Sequence, residues 1–573
     1  MKRKGTEMIV EALKRENVEI VFGYPGGAVI PLFDVLYDED SIEVVLVRHE
    51  QAAVHAADGY ARSTGKTGVC IVTSGPGATN TITGLATANF DSVPVVCISG
   101  QVPSTMIGND AFQEADTIGI SRPVTKHSYL ITDRSEVGSS LKKAFLIAGS
   151  GRPGPVVVDV PKDIFLAEAD DEYPEEVHIR GYTPHQKIDK ESIQQAAEAL
   201  LSAEKPLFFI GGGMHISGAA GIFSRIMDTV QIPVVTSLMG IGIVPSDHSL
   251  NLGMIGMHGS FAANKAVSSC DLLFSIGVRF DDRATGDLSK FARNAKIIHI
   301  DIDPTSIARN VPVDISILGD AKEVLRELSP LLKPCSTAEW SSEIASYKPE
   351  EDTRNKTGVP GLPPEQVIRK ISRKFPDAII STEVGQNQMW ASMFYNFHTP
   401  RSWLTSGGLG TMGYGFPAAI GAQIGNPDKR VIDIAGDGSI QMNIQELATA
   451  VHEELPVIIA ILNNGFLGMV RQWQEIFHDR HYSKTCLRAG KKCARRCSTP
   501  GENCPPYVPD FVKLAESYGA AGFRVESIQE VDAVLDKAET ITDRPIIIDF
   551  IISREENVYP MVPPGAGIEE MLL

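Results

Sequence analysis

The sequence lacks a long apolar run. A membrane-spanning helix needs about 18 consecutive apolar residues, whereas the longest apolar runs here, such as Leu455 to Leu462, have the length of a strand. The chain begins with basic residues, but charges from Glu11 to Glu16 interrupt it before an apolar signal segment can form. We therefore exclude a membrane protein and expect a cytoplasmic one.

An excess of positive charge is also missing. The 53 Lys and Arg residues are outnumbered by 71 Asp and Glu residues, so the net charge is −18 at pH 7. This balance opposes general binding to nucleic acid or to anionic membranes, so we expect neither as a partner. It leaves open the binding of small anionic substrates by local cations.

Cysteine is scarce, with eight residues in a chain of 573, which excludes a disulfide scaffold. The remaining composition, with 43% hydrophobic and 22% charged residues, is typical of a folded α/β enzyme and excludes a disordered or collagen-like chain. At about 150 residues per domain, this length predicts roughly four domains and also permits three large ones.

Short β-branched runs alternate with stretches of helical periodicity, a pattern typical of parallel sheets in doubly wound α/β domains. The predicted strands include residues 68–73, 93–99, 156–160, 207–210, 272–276, 297–302, 431–434 and 457–462. Polar, proline-bearing stretches near residues 168–190 and 333–364 are predicted linkers. We therefore predict three such α/β domains, at residues 1–170, 190–335 and 362–553, followed by a C-terminal tail at residues 554–573.

Two distant segments of the chain repeat one pattern. Gly75 to Gly77 follows a predicted strand and leads to Leu85-Ala-Thr-Ala88, while Gly436 to Gly438 follows another and leads to Leu447-Ala-Thr-Ala450. In both segments, four further residues precede a strand that opens with a proline at its second position. The repeat indicates that the first and third domains share one fold.

Oxygen-bearing side chains follow two neighbouring strands of the third domain. Asp437 lies between Gly436 and Gly438 at the end of one strand, and Asn464 ends the next. Carboxylate and amide oxygens suit a hard cation such as Mg²⁺, and the glycines let backbone N–H groups approach a diphosphate at a helix start. The spacing therefore predicts a metal–diphosphate site at the carboxyl edge of this sheet.

Further motifs carry a resemblance to a known family. They include Arg48-His-Glu50 with the following Ala57-Asp-Gly-Tyr-Ala-Arg62, Tyr24-Pro-Gly-Gly-Ala28, Ala111-Phe-Gln-Glu114 and Arg279-Phe-Asp-Asp-Arg283. With the metal–diphosphate motif, they make the chain resemble the acetolactate synthases (acetohydroxyacid synthases), which are thiamine-diphosphate-dependent enzymes, over nearly its whole length. The resemblance implies that the three domains bind the pyrimidine of thiamine, FAD and the diphosphate, respectively.

The resemblance also implies the residues that act on substrate. A glutamate bonded to the aminopyrimidine drives it to the imino tautomer, whose nitrogen removes the C2 proton of the thiazolium. The implied catalytic residues are Glu50, Gly27, Gln113 and Lys162. The implied substrate-binding residues are Phe112, Met257, Arg283 and Trp473, where Arg283 would hold the carboxylate of the second 2-keto acid and Trp473 would form an apolar wall.

The implied cofactors are thiamine diphosphate, Mg²⁺ and FAD. The implied thiamine diphosphate residues are Glu50, Val384, Gly385, Gln386, Gly410, Met412, Gly436, Asp437, Gly438 and Ser439. Those implied for Mg²⁺ are Asp437, Asn464 and, through its backbone carbonyl, Phe466. Those implied for FAD are Arg152, Gly211, Gly212, Gly213, Leu238, Met254, His258, Gly277, Arg279, Asp301 and Asp320.

The implied reaction decarboxylates pyruvate and transfers its two-carbon unit to a second pyruvate or to 2-oxobutanoate. The products, 2-acetolactate or 2-aceto-2-hydroxybutanoate, feed branched-chain amino-acid synthesis. In the family Glu50 and Asp437 meet across a dimer interface, so we expect a homodimer or homotetramer, with a small regulatory subunit as an open question. The alternatives are a pyruvate oxidase, another 2-keto-acid carboligase, or a non-catalytic regulator with the same fold.

One segment departs from the family pattern. Residues 484–506 insert four cysteines, Cys486, Cys493, Cys497 and Cys504, among the cations Lys484, Arg488, Lys491, Lys492, Arg495 and Arg496. Three interpretations stay open: a solvated basic loop with reduced thiols, a zinc or iron–sulfur site, or reversible disulfides. The insert follows Trp473 closely, so we hypothesise that its redox or metal state gates activity, which the metal and thiol content of anaerobically purified protein would test.

Overall fold

In the computed structural model, residues 2–170, 173–184, 187–347, 361–491, 493, 497 and 504–573 are described. They form three six-stranded sheets and one two-stranded sheet. All strand pairs within the three large sheets are parallel. The predicted fold class is thereby confirmed. Among these described residues, no helix is long and apolar enough to cross a membrane.

The first sheet has the strand order β3-β2-β4-β5-β7-β6, and β1 pairs antiparallel with β8 beside it. The strands of these two sheets are β1 (Lys2–Lys4), β2 (Ile20–Tyr24), β3 (Glu43–Leu46), β4 (Gly68–Val72), β5 (Val95–Gln101), β6 (His127–Leu130), β7 (Val156–Pro161) and β8 (Glu168–Asp170). Its helices are α1 (Gly5–Arg15), α2 (Ile30–Tyr37), α3 (Glu50–Thr64), α4 (Pro76–Asn80), α5 (Ile82–Asp91), α6 (Thr117–Ser121), α7 (Val137–Gly149) and α8 (Lys162–Leu166).

The second sheet has the order β11-β10-β9-β12-β13-β14. Its strands are β9 (Pro206–Ile210), β10 (Val234–Thr236), β11 (Asn251–Met254), β12 (Leu272–Ile276), β13 (Lys296–Asp301) and β14 (Ile315–Leu318). Its helices are α9 (Lys190–Ser202), α10 (Gly213–Ile216), α11 (Ala220–Val230), α12 (Phe261–Ser269), α13 (Asp282–Thr285), α14 (Ala321–Leu328) and α15 (Ala338–Ala345).

The third sheet has the order β16-β15-β17-β18-β20-β19. Its strands are β15 (Ile379–Thr382), β16 (Trp403–Leu404), β17 (Val431–Gly436), β18 (Ile458–Asn463), β19 (Ala521–Val525) and β20 (Ile546–Ile551). Its helices are α16 (Pro364–Lys374), α17 (Gln386–Phe394), α18 (Gly415–Gly425), α19 (Leu447–His452), α20 (Gly468–Phe477), α21 (Phe511–Tyr518) and α22 (Val531–Thr540).

Both faces of each large sheet are buried. In β9, Phe208 and Ile210 join one apolar cluster while the alternate residues Leu207 and Phe209 join another. The same division occurs along β4 and β18. Because successive side chains of a strand point to opposite faces, helices must cover both sides, which is why these strands are continuous apolar runs rather than alternating ones.

In each large sheet the second strand is added on one side of the first and a later strand on its other side, so the strand order reverses next to the first strand. The reversal lies between β2 and β4 in the first, between β9 and β12 in the second, and between β15 and β17 in the third. Ligands of open α/β sheets bind outside the carboxyl ends of the strands at such points. The predicted glycine turns at Gly75, Gly211 to Gly213 and Gly436 to Gly438 each follow a strand at one of these reversals.

The first and third domains of the chain meet along α3 and α18. A Cβ atom on Gly421 would lie 1.8 Å from the carbonyl oxygen of Ala56, and one on Gly59 would lie 2.1 Å from the carbonyl oxygen of Ala418. Both distances are far inside van der Waals contact, so only glycine permits this approach of the two helix backbones. The fold thereby packs a helix of the first domain directly against a helix of the third.

We predict that Gly421→Ala separates α3 from α18 and lowers the melting temperature by several degrees, since an overpacked core contact costs about 1–3 kcal/mol. Gly221→Ala in α11 is the matched control, because a Cβ there meets nothing within 4 Å. An alanine in an open helical position is neutral or stabilising. Differential scanning fluorimetry compares the two variants, and equal melting temperatures would contradict the contact.

Candidate functional site

A cavity of about 810 Å³ lies between the second and third domains, with residues of α5 and residues 151–153 of the first domain at its rim. It brings together most of the predicted cofactor and acceptor residues. These are Arg152, Gly212, Gly213, Leu238, Met254, Met257, His258, Gly277, Arg279, Arg283, Asp301, Asp320, Val384, Gly385, Gln386, Gly410, Met412, Gly436, Asp437, Gly438, Ser439, Asn464, Phe466 and Trp473. Gly211 directly precedes Gly212 at the end of β9.

The cavity's second-domain end is built on two strand-end turns in close contact. A Cβ on Gly211 would lie 2.3 Å from the carbonyl oxygen of Gly277, and one on Gly277, whose φ is +59°, would lie 2.7 Å from the Cα of Gly213. These glycines are therefore required by packing, whatever they bind. Two predicted carboxylates also have local partners, since Asp301 accepts from the Asp303 amide at 2.8 Å and Asp320 caps α14 through the Glu323 amide at 3.1 Å.

At the second-domain end of the cavity, one ring nitrogen of His258 is unused. Its Nδ1 lies 3.0 Å from the Pro560 carbonyl oxygen, whereas its Nε2, within the described part of the chain, is buried without a hydrogen-bond partner. Burial lowers the pKa of His258 to about 4, so the ring is neutral at pH 7. Because buried polar atoms almost always find partners, this nitrogen is available to a ligand.

The third-domain end of the cavity lies at the carboxyl ends of β15 and β17. Asp437 is 1% exposed, its Oδ1 accepts from the Asn464 amide at 3.4 Å, and its Oδ2 has no partner among the described residues. Burial raises the pKa of Asp437 to about 7. A buried carboxylate oxygen without a donor fits a cation site, and Mg²⁺ prefers such oxygens.

The neighbouring loop turns sharply around this carboxylate. The Asn464 side chain accepts from the Phe466 amide at 3.0 Å and donates to Gln386 at 3.1 Å. Gly385 has a φ of +151°, a conformation that favours glycine, at the start of α17. These contacts hold the predicted metal and diphosphate residues at one corner of the cavity.

The predicted acceptor residues lie on the wall between the two ends. The Arg283 side chain is 63% exposed, and its Nη1 lies 3.6 Å from the Met257 sulfur. Trp473 projects from α20, with its ring 5.4 Å from that of Phe477. A guanidinium, a thioether and an indole therefore face one space, which suits a small anion with an apolar tail.

The C-terminal tail reaches this wall, a feature that sequence patterns did not reveal. The Val562 amide donates to the Met257 carbonyl at 2.8 Å, and Gln472 is paired with the backbone of Val558 at 2.8 and 3.0 Å. Ile568 is buried in an apolar cluster of the second domain. The tail thus fixes the residues beside Met257 and Trp473.

The predicted pyrimidine-side residues lie elsewhere in the chain. Glu50 begins α3 and accepts from Asn80 Nδ2 at 2.9 Å. Gln113, with a φ of +60°, lies against Gly75, and Phe112 is 88% exposed. Glu50, Gly27, Phe112, Gln113 and Lys162 are all described, and none of them lines the 810 Å³ cavity. Within one chain, the two halves of the predicted thiamine site are therefore not joined.

Glu446 is a buried carboxylate that no sequence motif marks as functional. It is 0% exposed and accepts the Arg48 amide with both oxygens at 3.1 Å, while Thr449 donates to it at 2.7 Å. The third domain thereby holds the backbone two residues before Glu50. No local pattern signals this contact, because the partners lie 398 residues apart in sequence.

The cysteine insert begins beside the metal loop, where Cys486 pairs with Phe466 in an antiparallel bridge. No disulfide joins any of the eight cysteines, all of which are described. Among the described residues, no group of three or more His, Cys, Asp or Glu side chains is arranged to hold a metal ion. Lys492, Arg495 and Arg496 lie outside the described residues, and the hypotheses for Cys486, Cys493, Cys497 and Cys504 stay predictions.

Comparison with known families agrees with this geometry. Residues 3–120, 193–328 and 383–550 match models of the N-terminal TPP binding domain, the central domain and the C-terminal TPP binding domain of thiamine pyrophosphate enzymes. Thiamine pyrophosphate (TPP) is another name for thiamine diphosphate. The fold and the site therefore define a thiamine-diphosphate-dependent enzyme.

Relatives that match over nearly their full length identify one family within this class of enzymes. The chain is 47% identical to the acetolactate synthase large subunit of Haemophilus influenzae, with 100% of this chain and 98% of that protein covered. It is 45% identical to the acetolactate synthase isozyme 3 large subunit of Escherichia coli K12 (99% and 98% covered) and 47% identical to a probable acetolactate synthase large subunit of Methanocaldococcus jannaschii (99% and 95% covered). The chain belongs to the acetolactate synthase large-subunit family.

The raised pKa of Glu446 predicts that the stability of the folded chain depends on pH. Burial raises its pKa from 4.5 to about 7, so the folded chain keeps a proton that the unfolded chain releases. Wild-type stability should therefore fall, relative to Glu446→Gln, as pH rises from 4.5 to 7. Melting temperatures across this range test the effect, with the exposed Glu454→Gln as the control that removes the same charge. Parallel curves for wild type and Glu446→Gln would contradict it.

Proposed function

We propose that the chain decarboxylates pyruvate and transfers the two-carbon unit to a second pyruvate or to 2-oxobutanoate. The products are 2-acetolactate or 2-aceto-2-hydroxybutanoate, which serve branched-chain amino-acid synthesis. The observation that carries the proposal is the buried Asp437 Oδ2, which has no partner among the described residues and lies in the same cavity as Arg283 and Trp473. The family membership of the whole chain supports it.

In this proposal, Asp437, Asn464 and the Phe466 carbonyl hold Mg²⁺, and the turn from Gly436 to Ser439 holds the diphosphate. Thiamine diphosphate supplies the electron sink for decarboxylation and carbon–carbon bond formation. Glu50 holds a proton on the aminopyrimidine side of the site, and Asn80 orients its carboxylate. Gly410 and Met412 lie on the loop before α18, where they would contact the thiamine from the third domain.

We propose that the second-domain end of the cavity binds FAD. The apolar lining near Leu238 and Met254 and the unpartnered His258 Nε2 support this assignment. Arg152, already 3.2 Å from Asp303, would add a cation for the flavin's diphosphate. The overall reaction has no net oxidation, so the proposed role of FAD is structural.

Arg283 and Trp473 select the second substrate in this proposal. The guanidinium fork of Arg283 binds the acceptor carboxylate in a bidentate manner, which a lysine cannot reproduce. Trp473 contacts the acceptor's alkyl chain and favours ethyl over methyl. Met257, whose sulfur lies 3.6 Å from Arg283 Nη1, lines the same cavity.

We propose that the active site forms between two copies of the chain. Glu50, Gln113 and Lys162 of one copy would complete the cavity that contains Asp437 of the other. The separation of these residues within one chain supports this arrangement, as does the 88% exposure of Phe112, a large apolar side chain beside Gln113. A two-fold dimer then has two such sites, and two dimers give the alternative homotetramer. The relatives' designation as large subunits supports a smaller regulatory partner.

Subunit mixing tests the shared site. Glu50→Gln removes the proton-holding carboxylate, worth about 10²- to 10⁴-fold in rate, and Asp437→Ala removes the metal ligand, so each variant alone should form little acetolactate. Equal amounts, unfolded and refolded together, should recover about a quarter of wild-type activity, because half the dimers are hybrids with one intact site. Recovery of pure wild type under the same treatment is the control.

The result separates the alternatives. If both carboxylates belonged to one chain's site, every mixed dimer would lack an intact site and no activity would return. If wild type released CO₂ from pyruvate without forming acetolactate, an oxidase or another carboligase would be indicated. If it released none, the chain would be a regulator.

Trp473→Leu should lower the preference for 2-oxobutanoate over pyruvate, because one methylene group against an apolar wall is worth about 1–3 kcal/mol. The product ratio from competing substrates measures the preference. Phe477→Leu, which changes the neighbouring ring outside the cavity lining, is the control. An unchanged ratio in the Trp473 variant would refute the apolar wall.

A further inference from the structure

The end of α5 carries a buried aspartate that the proposed reaction does not use. The Asp91 side chain is 0% exposed, and its two oxygens accept from consecutive backbone amides of the third domain, Gly407 at 3.1 Å and Gly408 at 2.8 Å. These amides belong to residues 405–413, which we term the 405–413 loop. Gly410 and Met412, two of the proposed thiamine contacts, lie on the same loop.

Arg62 holds the Asp91 side chain in place. Its Nη2 donates to Asp91 at 3.0 Å, its Nε to Asp58 at 2.6 Å, and its Nη1 to the Thr405 carbonyl at 2.9 Å, at the start of the loop. The Arg62 side chain is 9% exposed. A buried arginine with this many partners has little freedom, so Asp91 is held in one orientation.

Second-domain residues that line the cavity pack against the same two glycines. A Cβ on Gly407 would lie 2.4 Å from the Met239 sulfur, and one on Gly408 would lie 2.9 Å from Asp91 Oδ1 and 3.1 Å from Arg279 Nη2. Asp91 and the second domain therefore enclose this part of the loop together, which leaves it little room to shift. Thr87 of α5 adds a contact to Thr411 at 2.8 Å.

We propose that Asp91, held by Arg62, is a positioning residue that fixes the 405–413 loop and thereby sets the affinity for thiamine diphosphate. Asp91 belongs to the first domain. It acts through the Gly407 and Gly408 amides of the loop rather than by touching thiamine. Without Asp91, part of the binding energy of thiamine diphosphate is used to order the loop. The affinity for thiamine diphosphate should therefore fall by more than the catalytic rate of the cofactor-bound enzyme. The inference rests on the proposed cofactor site.

Asp91→Asn tests the proposal. The amide keeps the shape of the side chain but presents one acceptor oxygen instead of two, and it removes the charge beside Arg62. Titration of intrinsic fluorescence with thiamine diphosphate and Mg²⁺, in protein carrying its flavin, should give a dissociation constant raised about tenfold or more, as expected for loss of a hydrogen bond to a charged group. The rate at saturating cofactor should fall by a smaller factor.

Asp271→Asn is the matched control. Asp271 also accepts two consecutive backbone amides, Glu204 at 2.7 Å and Lys205 at 2.9 Å, but it does not line the cavity. Its variant should bind thiamine diphosphate as wild type does. Equal losses in both variants, or wild-type affinity in Asp91→Asn, would overturn the proposal.

Asp91→Glu separates positioning from stability. It keeps a carboxylate beside Arg62, so it should melt closer to wild type than Asp91→Asn, but its longer side chain cannot place both oxygens at the Gly407 and Gly408 amides. Its affinity for thiamine diphosphate should stay low. Recovery of affinity in step with stability would overturn the positioning role. If wild type itself failed to bind thiamine diphosphate, the proposed function would fail instead.

Discussion

The contact between α3 and α18 determines how the site is arranged. Gly59 and Gly421 let the two helix backbones touch, and this brings the first domain against the third within one chain. Buried polar groups then follow the same boundary: Tyr414 donates to Asp58 at 2.7 Å, and Arg62 reaches across to Thr405. Because such groups cannot be left unpaired without a large cost, the two domains are fixed in both distance and orientation.

The same boundary holds the two halves of the predicted thiamine site apart within one chain. Glu446 and Asp91 bond the backbones near Glu50 and near Gly410 to the domain opposite, so each half is held in place by the fold itself. Such preorganisation would reduce the ordering that cofactor binding requires. At the predicted metal corner, Asp437 Oδ2 has no partner among the described residues, a cost that a bound cation would relieve.

Local patterns in the sequence were sufficient for eight strands of the three large sheets and for the strand-end motifs. All eight predicted strands agree with β4, β5, β7, β9, β12, β13, β17 and β18 to within two residues at each end. Asp437 and Asn464 were recognisable because adjacent parallel strands bring their carboxyl ends together. The two-residue strand β16 is too short to show any periodicity. Glu446 and Asp91 act on backbone amides 398 and 316 residues away, and no spacing rule covers such distances.

The segment of residues 558–568 has a consequence for the motion of the domains around the cavity. It bonds to the Met257 carbonyl and the His258 ring of the second domain and to Gln472 of the third. A hinge opening between these two domains would have to break at least one of these hydrogen bonds. The segment therefore restrains the cavity against opening.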